Sequence, residues 1–497
     1  MPHLKHPADW AQALALVPES HSVPMGAVDT AWLHMDSDVN RMVIVGVWIL
    51  RPGIRRAALC ARIQATLLQY PRFLQCAVDK PGGVRWVPDT DFALDHHIVS
   101  EKLPRVRAAG QQAALQDRVA ELAVQPLDGQ RPLWQFHLVE HYQGGSAMIV
   151  RIHHCIADGV ALVAVMQSLV DGGSLPPRGP RRSHGHGLLD RAEALLDTWV
   201  FAPAGRVSSL AWGAASAGAS TSWAFAHAPR RTLEHGLRNV WSSAKWALHG
   251  ASDVAAMALM PDDSATRLKG RPSGVKRVAW CQPLALADVK AVSKAMDCSV
   301  NDVLLGCVAG AMGHYLQACG DEVQGQEIRA MVPVNLRPID QAYALGNQFG
   351  LAPLLLPMGI RSPVARVHAV HRRMAELKGS MQPLMAFGLL ALAGALSKPV
   401  QDALLALFSR KTTAVMTNVI GPKEKMRFLG ATVEQSLFWV PQSGSVGLGV
   451  SILSYGGGVQ FGVIADTALC PDPQAIIDQF VPEFERLARA MGKPVAG

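Results

Sequence analysis

The stretch SAMIVRIHHCIADG at 146–159 carries two adjacent histidines, His153 and His154, followed after three residues by Asp158 and Gly159. An imidazole with an ordinary pKa of about 6.5 can take a proton from a hydroxyl or thiol at neutral pH, so one of this pair is a candidate general base. Ala147 to Ile152 read as a largely buried strand, and the apolar run from Val160 to Val170 reads as a helix entered through the Asp-Gly turn. Side chains alternate along a strand, so only one imidazole can reach a shared reaction centre while the other packs away. The same alternation makes the pair a poor chelate, and no HExxH occurs, so no metal is expected here. A satisfied pair of core histidines is the other reading. Asp158 is either a turn residue or a buried carboxylate paired with arginine, for which Arg337 in VPVNLRP is the candidate. Neither a GxSxG elbow nor a P-loop is present, which disfavours a serine hydrolase and a nucleoside triphosphatase.

The elements around this stretch mix strands and helices. Met42 to Leu50 reads as a strand, Arg56 to Tyr70 as a helix, Leu74 to Val78 and Val84 to Val87 as short strands, and Gln111 to Ala123 as a helix. A turn at Pro132-Leu133-Trp134 opens another strand. FALDHHIVSEKLP holds a second pair, His96 and His97, with no Asp-Gly after it, and is read as structural. Residues 174–187 are rich in Pro, Gly, Arg and His, the texture of a connection. From Leu188 to about Met260 the chain turns to Ala, Ser and Trp, including Trp199, Trp212, Trp223, Trp241 and Trp246. This segment is read as helices joining two domains and as the best candidate for membrane contact. A second domain begins near Gly274 with a strand, a helix over 285–296, and a buried helix from about Asn301 that Ser299 would cap. A strand in IRAMVPVNLRP, the LGNQFG loop, a strand in LAPLLLPM and a helix at 362–378 follow. TTAVMTNVIGP, FWVPQSGSVGLGVSILSY and VQFGVIAD read as three strands, before a closing helix from Pro473 to Met491. The class is α/β, or α+β, with mixed sheets in both halves.

A chain of 497 residues with 49% hydrophobic content is too long for one core, and two large lobes are expected. The net charge of +8 suits a membrane surface or an anionic substrate. Lys and Arg are scattered without interleaved aromatics, which argues against nucleic acid. Eight cysteines form no CxxC pair, so neither a zinc knuckle nor a disulfide framework is signalled, and a reducing cytosol is expected. MPHLKHPADW lacks the apolar core of a signal peptide, so secretion is not expected. No run reaches the roughly 20 apolar residues that span a bilayer. The closest, Leu384 to Leu396, suits a buried or interfacial helix.

HHCIADG stands in order with PMGAVDTAWL, FALDHHIVSEKLP, Arg131-Pro132-Leu133-Trp134, VNDVLL, VPVNLRP, LGNQFG and TNVIGP at 417–422. Over nearly its whole length the chain thereby resembles the wax ester synthase/diacylglycerol acyltransferases of the CoA-dependent acyltransferase superfamily, which also holds chloramphenicol acetyltransferases and condensation domains. The resemblance implies two chloramphenicol-acetyltransferase-like lobes, 1–180 and 272–497, joined by a helical region at 181–271, with an active-site tunnel between them. It implies His154 as the base that deprotonates a long-chain alcohol or diacylglycerol, whose oxygen attacks acyl-CoA directly to give wax ester or triacylglycerol plus CoA. A thioester is already activated, so the reaction chiefly needs a positioned base and a donor to the developing oxyanion.

By the same resemblance His153, Asp158 and Gly159 would complete the catalytic loop, with Asn301, Asp302 and Arg337 supporting it from the second lobe. Pro132, Leu133 and Trp134 would shape the site from the first lobe, Gly346, Asn347 and Gly350 would border a substrate channel, and Thr417, Asn418, Gly421 and Pro422 would lie near the tunnel. Asn301 and Thr417 are the candidate oxyanion donors. No metal and no permanently bound cofactor is implied; acyl-CoA is the co-substrate. A cytoplasmic location, peripheral on the inner membrane surface or on lipid inclusions, is implied too. Ile420 stands where proline is common, KEKMRF follows the Gly-Pro, and TRLKG at 266–270 replaces a stretch that often holds Asn-Gly. These departures bear on chain-length and acceptor preference and not on the base. A condensation-type enzyme using a carrier-protein thioester and a catalytically silent lipid-binding paralogue are the alternatives.

Overall fold

The computed structural model describes residues 22–173, 260–336, 345–378 and 398–493, together with Ala386 and Leu390. The predicted tryptophan-rich connection up to 259, Arg337 and most of the apolar run at 384–396 lie outside the described residues. The first half contributes β1 (Val23–Pro24), α1 (Ala27–His34), β2 (Val43–Arg51), α2 (Arg56–Ala65), β3 (Gln75–Lys80), β4 (Gly83–Pro88), β5 (Ile98–Glu101), α3 (Gln111–Val124), β6 (Trp134–Tyr142), β7 (Gly145–His153) and α4 (Gly159–Leu169). The second contributes β8 (Lys276–Trp280), β9 (Leu284–Ala285), α5 (Leu286–Ala295), α6 (Val300–Ala318), β10 (Ile328–Asn335), β11 (Phe349–Leu356), α7 (Pro363–Lys378), α8 (Lys398–Arg410), β12 (Ala414–Ile420), β13 (Arg427–Phe428), β14 (Ala431–Trp439), β15 (Leu448–Tyr455), β16 (Gly458–Asp466) and α9 (Gln474–Ala490).

Two mixed sheets organise the molecule. One has the order β13-β14-β2-β7-β6-β5, the other β11-β10-β12-β15-β16-β8 with β9 alongside β16, and β1-β4-β3 form a small third sheet. The first large sheet crosses the halves of the chain, because β14 pairs antiparallel with β2, Trp439 opposite Val45 and Val433 opposite Leu50. The single strand expected in FWVPQSGSVGLGVSILSY is two strands in different sheets. Pro441 and Gly444, the latter at φ +57, break it, and the carbonyl of Gly444 accepts a 2.8 Å bond from Asn40 Nδ2 of the first half. Residues 260–271 pack with the second lobe. Asp263 accepts from Arg329 N and Thr413 Oγ1 at 2.8 and 2.6 Å, and Arg267 forks onto Asp321 at 2.7 and 2.9 Å.

Helix α6 is the core helix of the second lobe. Ser299 caps it as the sequence predicts: its Oγ accepts from Asp302 N at 3.1 Å, and Asp302 Oδ2 accepts from Ser299 N at 2.9 Å. Gly306, Gly310 and Gly313 lie toward its neighbours, where an added Cβ would stand 2.5 Å from Val367, 2.4 Å from Arg366 and 2.7 Å from the carbonyl of Met358. The helix expected over 56–70 stops at Ala65, and two short 3₁₀ turns carry the chain through Pro71. No single helix among the described residues is long and apolar enough to cross a membrane.

Tyr455 of β15 ties the two sheets, its hydroxyl donating to Val433 O at 2.7 Å and accepting from Met426 N at 2.9 Å. Tyr455→Phe leaves both main-chain groups unpaired and is expected to cost about 1–3 kcal/mol, read as a fall in the urea midpoint without a change in slope.

Candidate active site

Strand β7 delivers the two histidines and its neighbours pin them. The carbonyl of Leu133 accepts from His153 N at 2.9 Å, and that of Met42 accepts from His154 N at 2.7 Å. The side chains then diverge, as strand alternation requires. His153 Nδ1 accepts from Cys155 N at 3.2 Å, which leaves the proton on Nε2, 3.7 Å from Asp36 Oδ1. Burial raises the Asp36 carboxyl, but His153, Met42 N and Arg41 outweigh it and hold the pKa below its ordinary value.

His154 turns the other way, onto the indole of Trp32 with centroids 4.1 Å apart and planes 15° from parallel, and toward Phe349 at 5.5 Å. Burial pushes its pKa down to about 4, opposed by its own main-chain polarity and by the Asp158 carboxylate. The ring is therefore neutral at neutral pH. Its Nδ1 is buried with no hydrogen-bond partner among the described residues.

Asp158 caps α4, its Oδ1 accepting from Ala161 N at 2.9 Å, while Oδ2 crosses to the LGNQFG loop and accepts from Gln348 N at 3.0 Å. Gly346, at φ +109, bonds Ile156 O and Asp158 N through its own N–H and carbonyl at 3.2 and 3.3 Å. Asn347 donates through Nδ2 to the carbonyl of His154 and to Asp29 Oδ1, both at 2.8 Å, and its main-chain N–H also reaches Asp29 at 3.0 Å. Asp29, Trp32, Asp36 and Phe349 are site residues that the sequence reading did not single out. Asp29 and Trp32 were visible in PMGAVDTAWL and Phe349 in LGNQFG, whereas Asp36 carries no motif of its own.

An apolar cavity lies beside the loop, walled by Ile44, Trp48, Val150 and Ile152 of the first sheet, by Gly159 and Leu162 of α4, and by Gly421, Pro422, Leu453 and Tyr455 of the second half. Val150 and Ile152 share His154's side of β7 by alternation. A Cβ on Gly159 would meet nothing within 4 Å, so this glycine leaves cavity space open.

The other predicted residues are placed differently. Asn301 accepts from Asn418 Nδ2, and the Thr417 hydroxyl points to Val450 O at 3.4 Å. Asp302 faces away into its cap and a 2.8 Å bond with His371 Nδ1. Leu133 supports His153 through its carbonyl, Trp134 N bonds Pro132 O, and Gly350 lies on β11 opposite Val334. Trp134 is a core residue, bonded to Phe73 O at 2.9 Å and stacked on His97 at 4.3 Å. His97 is structural, as read: its Nδ1 meets Trp134 O at 2.8 Å, and burial pushes its pKa down to about 4.

The "Wax ester synthase/diacylglycerol acyltransferase catalytic domain" description matches residues 25–304, and the "WS/DGAT C-terminal domain" description matches 345–488. A probable diacylglycerol O-acyltransferase of Mycobacterium tuberculosis is 27% identical over 448 residues, covering 88% of this chain and 89% of its own. The solved wax ester synthase/diacylglycerol acyltransferase of Marinobacter aquaeolei VT8 superposes with a TM-score of 0.62 at 19% identity, over 95% of this chain and 100% of the other. A starter condensation domain of rhizomide synthetase, solved with C8-CoA and Leu-SNAC, superposes with a TM-score of 0.53 at 15% identity, over 96% of each chain. These likenesses establish the expected two-lobed acyltransferase fold.

His97 and His154 refuse protons that the unfolded chain accepts between its ordinary pKa of about 6.5 and the folded value of about 4. Stability should therefore fall as pH drops through this window, by up to about 1.4 kcal/mol per pH unit for each ring. Urea midpoints at pH 7 and pH 5 measure it, and His97→Gln should flatten the slope; equal slopes in the two proteins would refute the assignment for His97.

Proposed function

The chain belongs to the wax ester synthase/diacylglycerol acyltransferase family; it is an O-acyltransferase acting on an alcohol or diacylglycerol with acyl-CoA as co-substrate, and we propose that His154 is the base of the transfer. The observation that carries the assignment is the buried neutral imidazole, stacked on Trp32 and near Phe349, on the loop whose Gly159 borders the apolar cavity.

In this reading the acceptor hydroxyl gives its proton to the unprotonated nitrogen of the His154 imidazole as its oxygen adds to the thioester carbonyl. The tetrahedral intermediate then collapses, the C–S bond breaks, and the imidazolium returns its proton to the departing sulfur to release CoA. An imidazole whose pKa is about 4 in the resting site is a weak base. The oxyanion formed beside it raises that pKa during the attack, so the proton moves with bond formation and not before it. We assign the oxyanion donor to Asn301 over Thr417. Asn301 accepts from Asn418 through Oδ1 and keeps its amide protons to donate, whereas the Thr417 hydroxyl is turned to Val450 O. Arg337 is proposed to pair with Asp158, and the cavity to hold the acyl or alkyl chain. A cytoplasmic place at the inner membrane surface or on lipid inclusions fits lipid substrates and a net charge of +8.

His154→Ala is expected to lower CoA release by about 10²- to 10⁴-fold with an unchanged far-UV spectrum; a near-normal rate would remove the base assignment. In the wild-type enzyme kcat/KM should stay level down to about pH 5 and decline with a midpoint of about 4, below the 6.5 of an ordinary histidine. Gly159→Leu should shift preference toward shorter chains by filling cavity space, checked with an acyl-CoA and alcohol length series, and an unaltered profile would place the chain elsewhere.

A further inference from the structure

Away from the catalytic loop, the junction of α5 and α6 meets α7 at a set of side chains that nothing in the acyl-transfer reading uses. Cys298, Asp302 and His371 each offer a ligand atom, and the three atoms lie within 4.8 Å of one another. His371 Nδ1 is 2.8 Å from Asp302 Oδ2. His368, three residues earlier and so on the same face of α7, brings its Nδ1 to 3.8 Å from Cys298 Sγ. In a tetrahedral zinc site, bonds of about 2.3 Å to sulfur and about 2.0 Å to nitrogen or oxygen put neighbouring donors about 3.3–3.5 Å apart. The two observed separations bracket that spacing.

The carboxylate supplies the second observation. Asp302 is 2% exposed, and its Oδ2 is spent on the cap of α6 and on His371. Its Oδ1 is buried with no hydrogen-bond partner. A buried carboxylate oxygen left unpaired is costly, and a metal held by both oxygens of the carboxylate is one of the few partners that would satisfy Oδ1 without undoing the cap. The opposite side of the cluster is open, since 43% of the His371 side chain is exposed, so an ion can enter without the lobe opening.

We propose that Cys298, Asp302 and His371 form a structural site for a borderline-soft divalent cation, zinc above all, with His368 or a water completing the tetrahedron. One thiolate, imidazole and one carboxylate select against magnesium and calcium, which take all-oxygen shells. On binding, the Cys298 thiol loses its proton to solvent, and His371 binds through the Nδ1 lone pair with its proton on Nε2. The two anionic ligands offset the unfavourable meeting of a cation with the N-terminus of α6. The ion would clamp α7 to the residue that follows Asn301, and so steady the turn that presents Asn301 to Asn418.

The full chain, stripped with chelator and dialysed, is titrated with cobalt(II) as a spectroscopic stand-in for zinc. The expected result is one equivalent with a thiolate-to-cobalt charge-transfer band and tetrahedral ligand-field bands, both lost in Cys298→Ser and weakened at least tenfold in affinity in His371→Gln. Zinc at a hundredfold excess over Kd should raise the melting temperature by about 2–3 °C in the wild type and not in Cys298→Ser. Far-UV spectra of the metal-free variants establish that they fold; if one does not, the other carries the same comparison. Cobalt bound without the charge-transfer band, a spectrum unchanged in both variants, or no binding at micromolar metal would each overturn the site and leave an ordinary Asp302–His371 hydrogen bond.

Discussion

The arrangement of the site depends on one buried carboxylate, Asp29, holding one amide, Asn347. Asp29 sits on α1 near the start of the described chain, 318 residues away from Asn347, and accepts from both its main-chain N–H and its side-chain amide. Asn347 then spends its remaining donor on the carbonyl of His154. An ionised acceptor makes these bonds stronger than neutral ones, and burial makes leaving any member unpaired expensive. The catalytic loop is thus fixed by its main chain, and the imidazole follows. Asp158 repeats the logic in the opposite direction, capping its own helix with one oxygen and reaching across to Gln348 with the other. Between the two carboxylates Gly346 lies close enough to exchange bonds with Ile156 and Asp158, at a positive φ that a side chain would strain.

Fixing the main chain leaves the ring's electrostatics to its surroundings. His154 lies against Trp32 and near Phe349, surfaces that offer no hydrogen bond to stabilise an imidazolium, and its pKa falls to about 4. His153, one residue earlier, meets an ionised Asp36 instead. Two adjacent residues of one type therefore acquire different chemistry because β7 turns one toward an aromatic wall and the other toward a carboxylate. The neutral ring accepts a proton without first losing one, which suits a base whose work begins only when a hydroxyl attacks beside it.

Much of this was legible in the sequence because the relevant signals are local. The divergence of His153 and His154 follows from strand alternation, the entry to α4 from Asp158-Gly159, and the start of α6 from Ser299 and Asp302. The structural role of His97 could be read from the missing Asp-Gly after it. What escaped depends on pairings distant in sequence. Nothing near Phe438 indicates that Ala431–Trp439 leaves its own half to join β2, and FWVPQSGSVGLGVSILSY has the alternation of one strand on either side of its break. Asp302 shows the opposite failure. Its place beside Asn301 suggested a common role, but successive helical residues do not share a face, and Asp302 points to His371 while Asn301 meets Asn418.

The crossing of β14 makes the cavity a property of the whole chain. Its walls on one side are β2 and β7, and on the other the segment from Gly421 to Met426 and the end of β15. Tyr455 joins the two by reaching from β15 to the main chain of Val433 in β14 and of Met426 before it. Each half lacks a strand or a wall that the other supplies, so a separated half would expose the apolar lining to water and lose the register that carries His154. At about 25 cal/mol per Å² of apolar surface, that exposure opposes separation as directly as the hydrogen bonds do. Phe349 of the second half also packs near His154, so the union of the lobes contributes to the burial that keeps the ring neutral.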